Sequence, residues 1–106
     1  MPKYLVKANY SPDGLQGLMK DGAAKRVEAA RTGVEGAGGT MESFHYAFGE
    51  TDAYLVCDFP DNESAAALSM TVSATGAVAC SVVALLTAEE IDAAIKKSPS
   101  YSPPGT

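Results

Sequence analysis

Met41-Glu42-Ser43-Phe44-His45-Tyr46-Ala47-Phe48-Gly49-Glu50-Thr51-Asp52-Ala53-Tyr54-Leu55-Val56-Cys57-Asp58-Phe59 reads as two β-strands, Met41 to Phe48 and Ala53 to Phe59, joined by a turn over Gly49-Glu50-Thr51-Asp52. Large apolar residues alternate with polar ones through both runs, the period of a half-buried strand. With the turn centred on Glu50-Thr51, Phe48 pairs with Ala53, Tyr46 with Leu55 and Phe44 with Cys57. Six largely apolar side chains then share one face, the one that helices must cover. The other face carries Met41, Ser43, His45 and Ala47 beside Tyr54, Val56 and Asp58. In this register Val56 opposes His45, and Asp58 and Tyr54 are its diagonal neighbours.

Upstream, Lys3 to Tyr10 has the β-branched and aromatic content of a strand. It sends Tyr4, Val6, Ala8 and Tyr10 to the helix side, and Lys3, Leu5, Lys7 and Asn9 to the open side. Ser11-Pro12-Asp13 starts a helix with an N-cap, a proline suited to the first position, and an acid at the positive end of the dipole. Leu15, Leu18, Met19, Ala23, Val27, Ala30 and Val34 follow at steps of three and four, giving one long amphipathic helix. The glycine of Asp21-Gly22 predicts a kink in it. Downstream, Asp61 caps a second helix that closes at Gly76, and Val78 to Leu86 is a fourth strand. Thr87-Ala88-Glu89-Glu90 is a capping box opening a short helix with Ile91, Ala94 and Ile95 inward.

The order βαββαβ-α predicts a ferredoxin-like α+β fold: an antiparallel sheet of spatial order 4-1-3-2 with its crossover helices on one face. Residues 1–97 form a single domain, and 98–106, which hold three of the six prolines, form a tail without a core of its own. Strand one separates the strands bearing Cys57 and Cys80, so these two do not bridge. They are also too few and too far apart for a disulfide framework or a structural zinc site.

Composition removes whole classes of function. The chain of 106 residues is 46% apolar and 20% charged, values that argue against disorder. Eight cationic against thirteen acidic side chains leave a net charge of −5, which disfavours nucleic acid and anionic membranes as partners. No export signal precedes the first strand, and Ala77 to Leu86 is half a membrane span, so a cytoplasmic protein is expected. Gly36-Ala37-Gly38-Gly39 ends a helix and precedes a strand, the reverse of a dinucleotide loop. With no Walker sequence and a single histidine, no cofactor and no metal site are expected.

What remains is the open sheet face. Four strands present roughly 400 Å² in projection there, apolar at the centre through Leu5, Met41, Tyr54 and Val56, which is near the limit a soluble monomer exposes. One short helix cannot cover four strands. A second copy of the chain is the expected cover. His45, the lone histidine, reads either as a hydrogen-bonded interface residue or as a proton carrier, with Asp58 and Tyr54 as its neighbours. Lys7 reaches the same face and either snorkels, pairs with an acid such as Asp58, binds a carboxylate or enolate, or forms a Schiff base. Asn9, Ser43 and Asp58 could contact a ligand. Gly49 and Asp52 could position one, or serve the turn, with glycine at positive φ and aspartate bonding the backbone.

Tyr10-Ser11-Pro12-Asp13-Gly14-Leu15, Lys25-Arg26, Gly38-Gly39, Phe44-His45-Tyr46-Ala47-Phe48-Gly49, Asp52, Pro60-Asp61, Thr75-Gly76 and Leu85-Leu86-Thr87, in that order and spacing, resemble the GYD-domain family of small bacterial proteins. The likeness covers nearly all of residues 3 to 97. The family's name motif Gly-x-Tyr-Asp reads Gly49-Glu50-Thr51-Asp52 here, with Thr51 in place of the tyrosine. The resemblance implies a dimeric α+β barrel in which two sheets pack open face to open face, a homodimer enclosing a small-molecule cavity. It assigns no chemistry. Two other functions stand beside it: a cofactor-independent oxygenase or isomerase acting on a small aromatic or enolisable substrate through His45, Tyr54 and Lys7, and a ligand sensor or purely structural oligomer.

Overall fold

The computed structural model describes residues 1–106. Eight elements follow in chain order: β1 (Lys3–Tyr10), α1 (Pro12–Asp21), α2 (Ala23–Gly36), β2 (Thr40–Tyr46), β3 (Ala53–Asp58), α3 (Asn62–Ser73), β4 (Val78–Leu85) and α4 (Ala88–Lys96). The four strands form one sheet in the order β2-β3-β1-β4, every pair antiparallel, which is the expected topology. Tyr4, Val6 and Ala8 of β1 and Leu55 and Cys57 of β3 lie buried against Val34 of α2 and Ala65 of α3. Cys57 and Cys80 are free thiols on strands that β1 separates.

The long first helix is two helices. Gly22, at φ 90 and ψ 153, stops α1 and starts α2, a backbone that only glycine adopts without strain, so the expected kink is a complete break. Ser11 caps α1 by accepting from the Gly14 amide at 3.1 Å, and Asp61 caps α3 by accepting from the Ser64 amide at 2.8 Å. Hydrogen bonding from Ser64, its side chain first and its amide second, holds the Asp61 carboxyl below its ordinary pKa.

The hairpin departs from expectation in two ways. First, β2 ends at Tyr46, and Phe48 leaves the strand at φ 54 with its ring half exposed and stacked on Tyr46 at 5.8 Å. The register moves by two residues as a result: Phe44 faces Leu55, Tyr46 faces Ala53, and His45 faces Tyr54 rather than Val56. A shift of two preserves which face each side chain occupies. Second, a bulge at Glu42, between Met41 and Ser43, places one extra residue on β2. Met41 thereby turns into the core beside Cys57, at 6% exposure, instead of joining the open face.

At the C-terminal end the capping box forms as the spacing predicts: the Thr87 hydroxyl accepts from the Glu90 amide, and the Glu90 carboxylate accepts from the Thr87 amide. The inward placement of Ile91 and Ile95 is not found. No residue of α4 is buried, and these two are 43% and 63% exposed, because the helix stands off the end of β4 instead of folding back over the sheet.

Candidate functional site

Strand pairing assembles the open face into transverse rows. Across β4, β1, β3 and β2 the register aligns Ser81 with Lys7, Lys7 with Tyr54, and Tyr54 with His45. Neighbours in such a row stand about 4.8 Å apart, within reach of one ligand. The next row is Val83, Leu5, Val56 and Ser43, apolar but for its last member. The row after it ends the face with Leu85, Lys3, Asp58 and Thr40. Lys7, Tyr54 and His45 are thus brought together side by side, although no two of them share a strand.

Asp58 is not among them. It lies four residues along β3 from Tyr54, about 13 Å away at strand spacing, and its carboxylate accepts from Lys3 Nζ at 3.0 Å. Glu42, swung outward by the bulge, takes the same ammonium from the other side. Two acids on one cation raise the Lys3 pKa, the Glu42 hydrogen bond first and Asp58 second. The expected pairing of Asp58 with His45 or Lys7 is therefore replaced by a Lys3 cluster. Neither Lys7 nor His45 forms an ion pair. Lys7 is a cation without an acid, half-covered by its neighbours, at the edge of an apolar row.

The hairpin residues serve the backbone. Asp52 Oδ2 accepts from the Tyr10 amide at 2.9 Å, and the Asp52 amide donates to Ala8 O at 3.1 Å and to Asn9 Oδ1 at 3.0 Å. Asp52 and Asn9 together tie the loop to the end of β1. The positive φ expected at Gly49 falls instead on Phe48, and a β-carbon at Gly49 would meet open space. Thr51, where the tyrosine of the motif would stand, is buried at 5% exposure. Asp52→Ala is expected to cost about 2 kcal/mol, the worth of a hydrogen bond to a charged group, measured as a fall in the urea midpoint at constant slope.

Ser81 is the row member that the hairpin and first-strand alternation does not reach. Its signal is its place as the polar interruption in the apolar run Ala77 to Leu86. Extending the alternation along β4 sends Ala79, Ser81, Val83 and Leu85 to the open face, as the burial along the strand shows. On the opposite face a gap of about 70 Å³ lies between α2, α3 and the sheet, lined by apolar or aromatic side chains apart from Arg26. Cavities that hold a benzene are about 150 Å³, so this one is a packing gap of the core. Tyr10 at its edge has its pKa pushed up to about 12, chiefly by burial and then by the neighbouring Tyr46.

The topology, α2 and α3 packed on one face and the row of polar groups on the other define an α+β protein of the ferredoxin-like class. Within that class the GYD domain family model matches residues 4–95. The chain belongs to the GYD domain family. Comparison with curated proteins and with solved structures found no match. No helix is long and apolar enough to cross a membrane.

Proposed function

We propose that this GYD-domain chain is a homodimeric small-molecule-binding protein in which two open sheet faces enclose the row Ser81, Lys7, Tyr54 and His45. The observation that carries the reading is that row. An unpaired ammonium, a phenol and an imidazole lie side by side next to an apolar row, an arrangement suited to a small aromatic or enolisable carboxylate. Lys7 takes the anionic end, Tyr54 and His45 orient the polar edge, and Leu5, Val56 and Val83 receive the apolar body. Packing against a second copy removes water from the row and strengthens each of these contacts. The same geometry favours one catalytic reading. His45 takes a carbon-bound proton from a substrate and returns it to a neighbouring atom, while Lys7 neutralises the enolate between the two steps.

Light scattering at micromolar concentration is expected to give twice the 10.9 kDa of one chain. Benzoate, as the probe, is expected to shift the backbone resonances of Lys7, Tyr54, His45 and Ser81. Lys7→Gln should weaken benzoate at least tenfold at unchanged mass. His45→Ala should weaken the dimer by about 1–3 kcal/mol, because it removes packing and a hydrogen-bonding group from the interface. A monomeric mass sinks the barrel. A dimer that ignores benzoate, with no shift in the row, leaves a structural oligomer in its place.

A further inference from the structure

We infer that α4 is an exchanged arm: in the dimer just proposed, on which this inference rests, the Ile91 and Ile95 face of each α4 packs against the second copy and not against its own chain. The first observation is the shape of the chain. Its radius of gyration is 16.8 Å and its longest extent 55 Å, whereas a packed chain of this length has a radius of about 13 Å. The excess belongs to the end of the chain, where α4 and the residues after it are exposed throughout. The second observation is that α4 is built as a helix meant to pack. It has a complete capping box, acids Glu89 and Glu90 in its first turn and Lys96 in its last. Its large apolar side chains, Ile91 and Ile95, stand four apart on one stripe, with Leu86 exposed just before it. Nine residues are too few for a helix to be stable alone in water, so these features pay off only against a surface.

Area decides which surface. The open face offers roughly 400 Å² per chain, whereas a standard stable interface buries about 800 Å² on each partner. The sheet faces alone, taken as a flat projection, therefore make a small interface. An arm about 14 Å long and about 10 Å wide, given by each chain and received by each under two-fold symmetry, enlarges the projected contact by more than half. The arm leaves β4 after only Leu86 and Thr87, beyond the rim of its own sheet, and the structure shows no packing of it on the face from which it departs. A second copy laid over that face brings its own surface to the arm.

Amide hydrogen exchange across residues 88–96, with light scattering in parallel, tests the assignment. Val56→Asp, a half-exposed change at the centre of the open face, serves to make the chain monomeric. Dilution of the unaltered chain below its dissociation constant gives a second monomer should that variant misfold. In the dimer the α4 amides are expected to exchange at least tenfold more slowly than in either monomer. Ile91→Asp with Ile95→Asp, neither of which is buried in the single chain, is expected to raise the dissociation constant at least tenfold at unchanged circular dichroism of the body. If that double variant dimerises as well as the unaltered chain, the arm is overturned and the dimer stands. Equal protection of α4 in monomer and dimer overturns it too, since the arm then packs on its own chain. A chain that is monomeric from the start removes the dimer itself.

Discussion

Phe59→Ala is expected to lower the stability of the fold by about 4 kcal/mol, the largest effect of any single change considered, in the range measured for large aromatic deletions from cores. Phe59 is fully buried. Its ring meets Tyr4 edge to face at 5.6 Å and lies against Gly39, where a β-carbon would come within 2.7 Å of it. Its amide donates to Pro2 O at 3.1 Å, so the same residue fastens the start of the chain to the end of β3. The aromatic pair adds about 1 kcal/mol to the lost transfer energy, and tight backbone on either side prevents the gap from closing. Single domains of this size have about 5–15 kcal/mol in all, so the variant will be partly unfolded at modest temperature. Urea titration at constant slope measures it. A loss under 1 kcal/mol would mean that Phe59 is not the anchor of this core.

Gly14→Ala comes second, at about 3 kcal/mol, with a sign opposite to helix propensity. In a solvent-facing helix the change gains about 1 kcal/mol. Here the added β-carbon would stand 2.0 Å from the carbonyl oxygen of Ala77, well inside contact distance. That oxygen cannot move freely, because it accepts the Ser11 amide at 2.9 Å and the Ser11 hydroxyl at 3.3 Å. Residue 14 is the point where the first turn of α1 seats on the start of β4. Gly17, one turn later, has open space where its β-carbon would go and provides the control. Gly17→Ala should be neutral or stabilising by up to about 1 kcal/mol in the same titration. Equal effects at the two positions would refute the close approach.

These two residues also mark where sequence reading reaches and where it stops. The strand order follows from periodicity and the hairpin, and so does the element order apart from the break at Gly22. The face of nearly every strand residue follows too, since a register error of two leaves parity intact. Met41 is the exception, and its cause was visible: strict alternation puts Glu42 on the buried face with Phe44 and Tyr46, and a carboxylate there marks a bulge. The row of Lys7, Tyr54 and His45 needed the register as well as the faces, because only cross-strand alignment separates it from Asp58. The bearing of α4 was beyond reach. An amphipathic stripe says that a helix has an apolar side, not which chain supplies the surface. The tight seat of Gly14 was equally hidden, for its partner is a backbone atom some sixty residues away.

The two thiols give the fold a built-in clock. Burial pushes the Cys57 pKa up to about 11 and raises that of Cys80 as well, so at neutral pH almost none of either is thiolate. Alkylating reagents and oxidants must wait for the chain to open before they reach buried Cys57, whereas Cys80 is only partly covered. Cys57 lies fully buried on an interior strand, bounded by β1 and β2, so its labelling requires a larger opening of the domain. Cys80 lies on the edge strand β4, where fraying of one element is enough. Two side chains of identical chemistry thus report, through their labelling rates, on two different depths of motion in one domain.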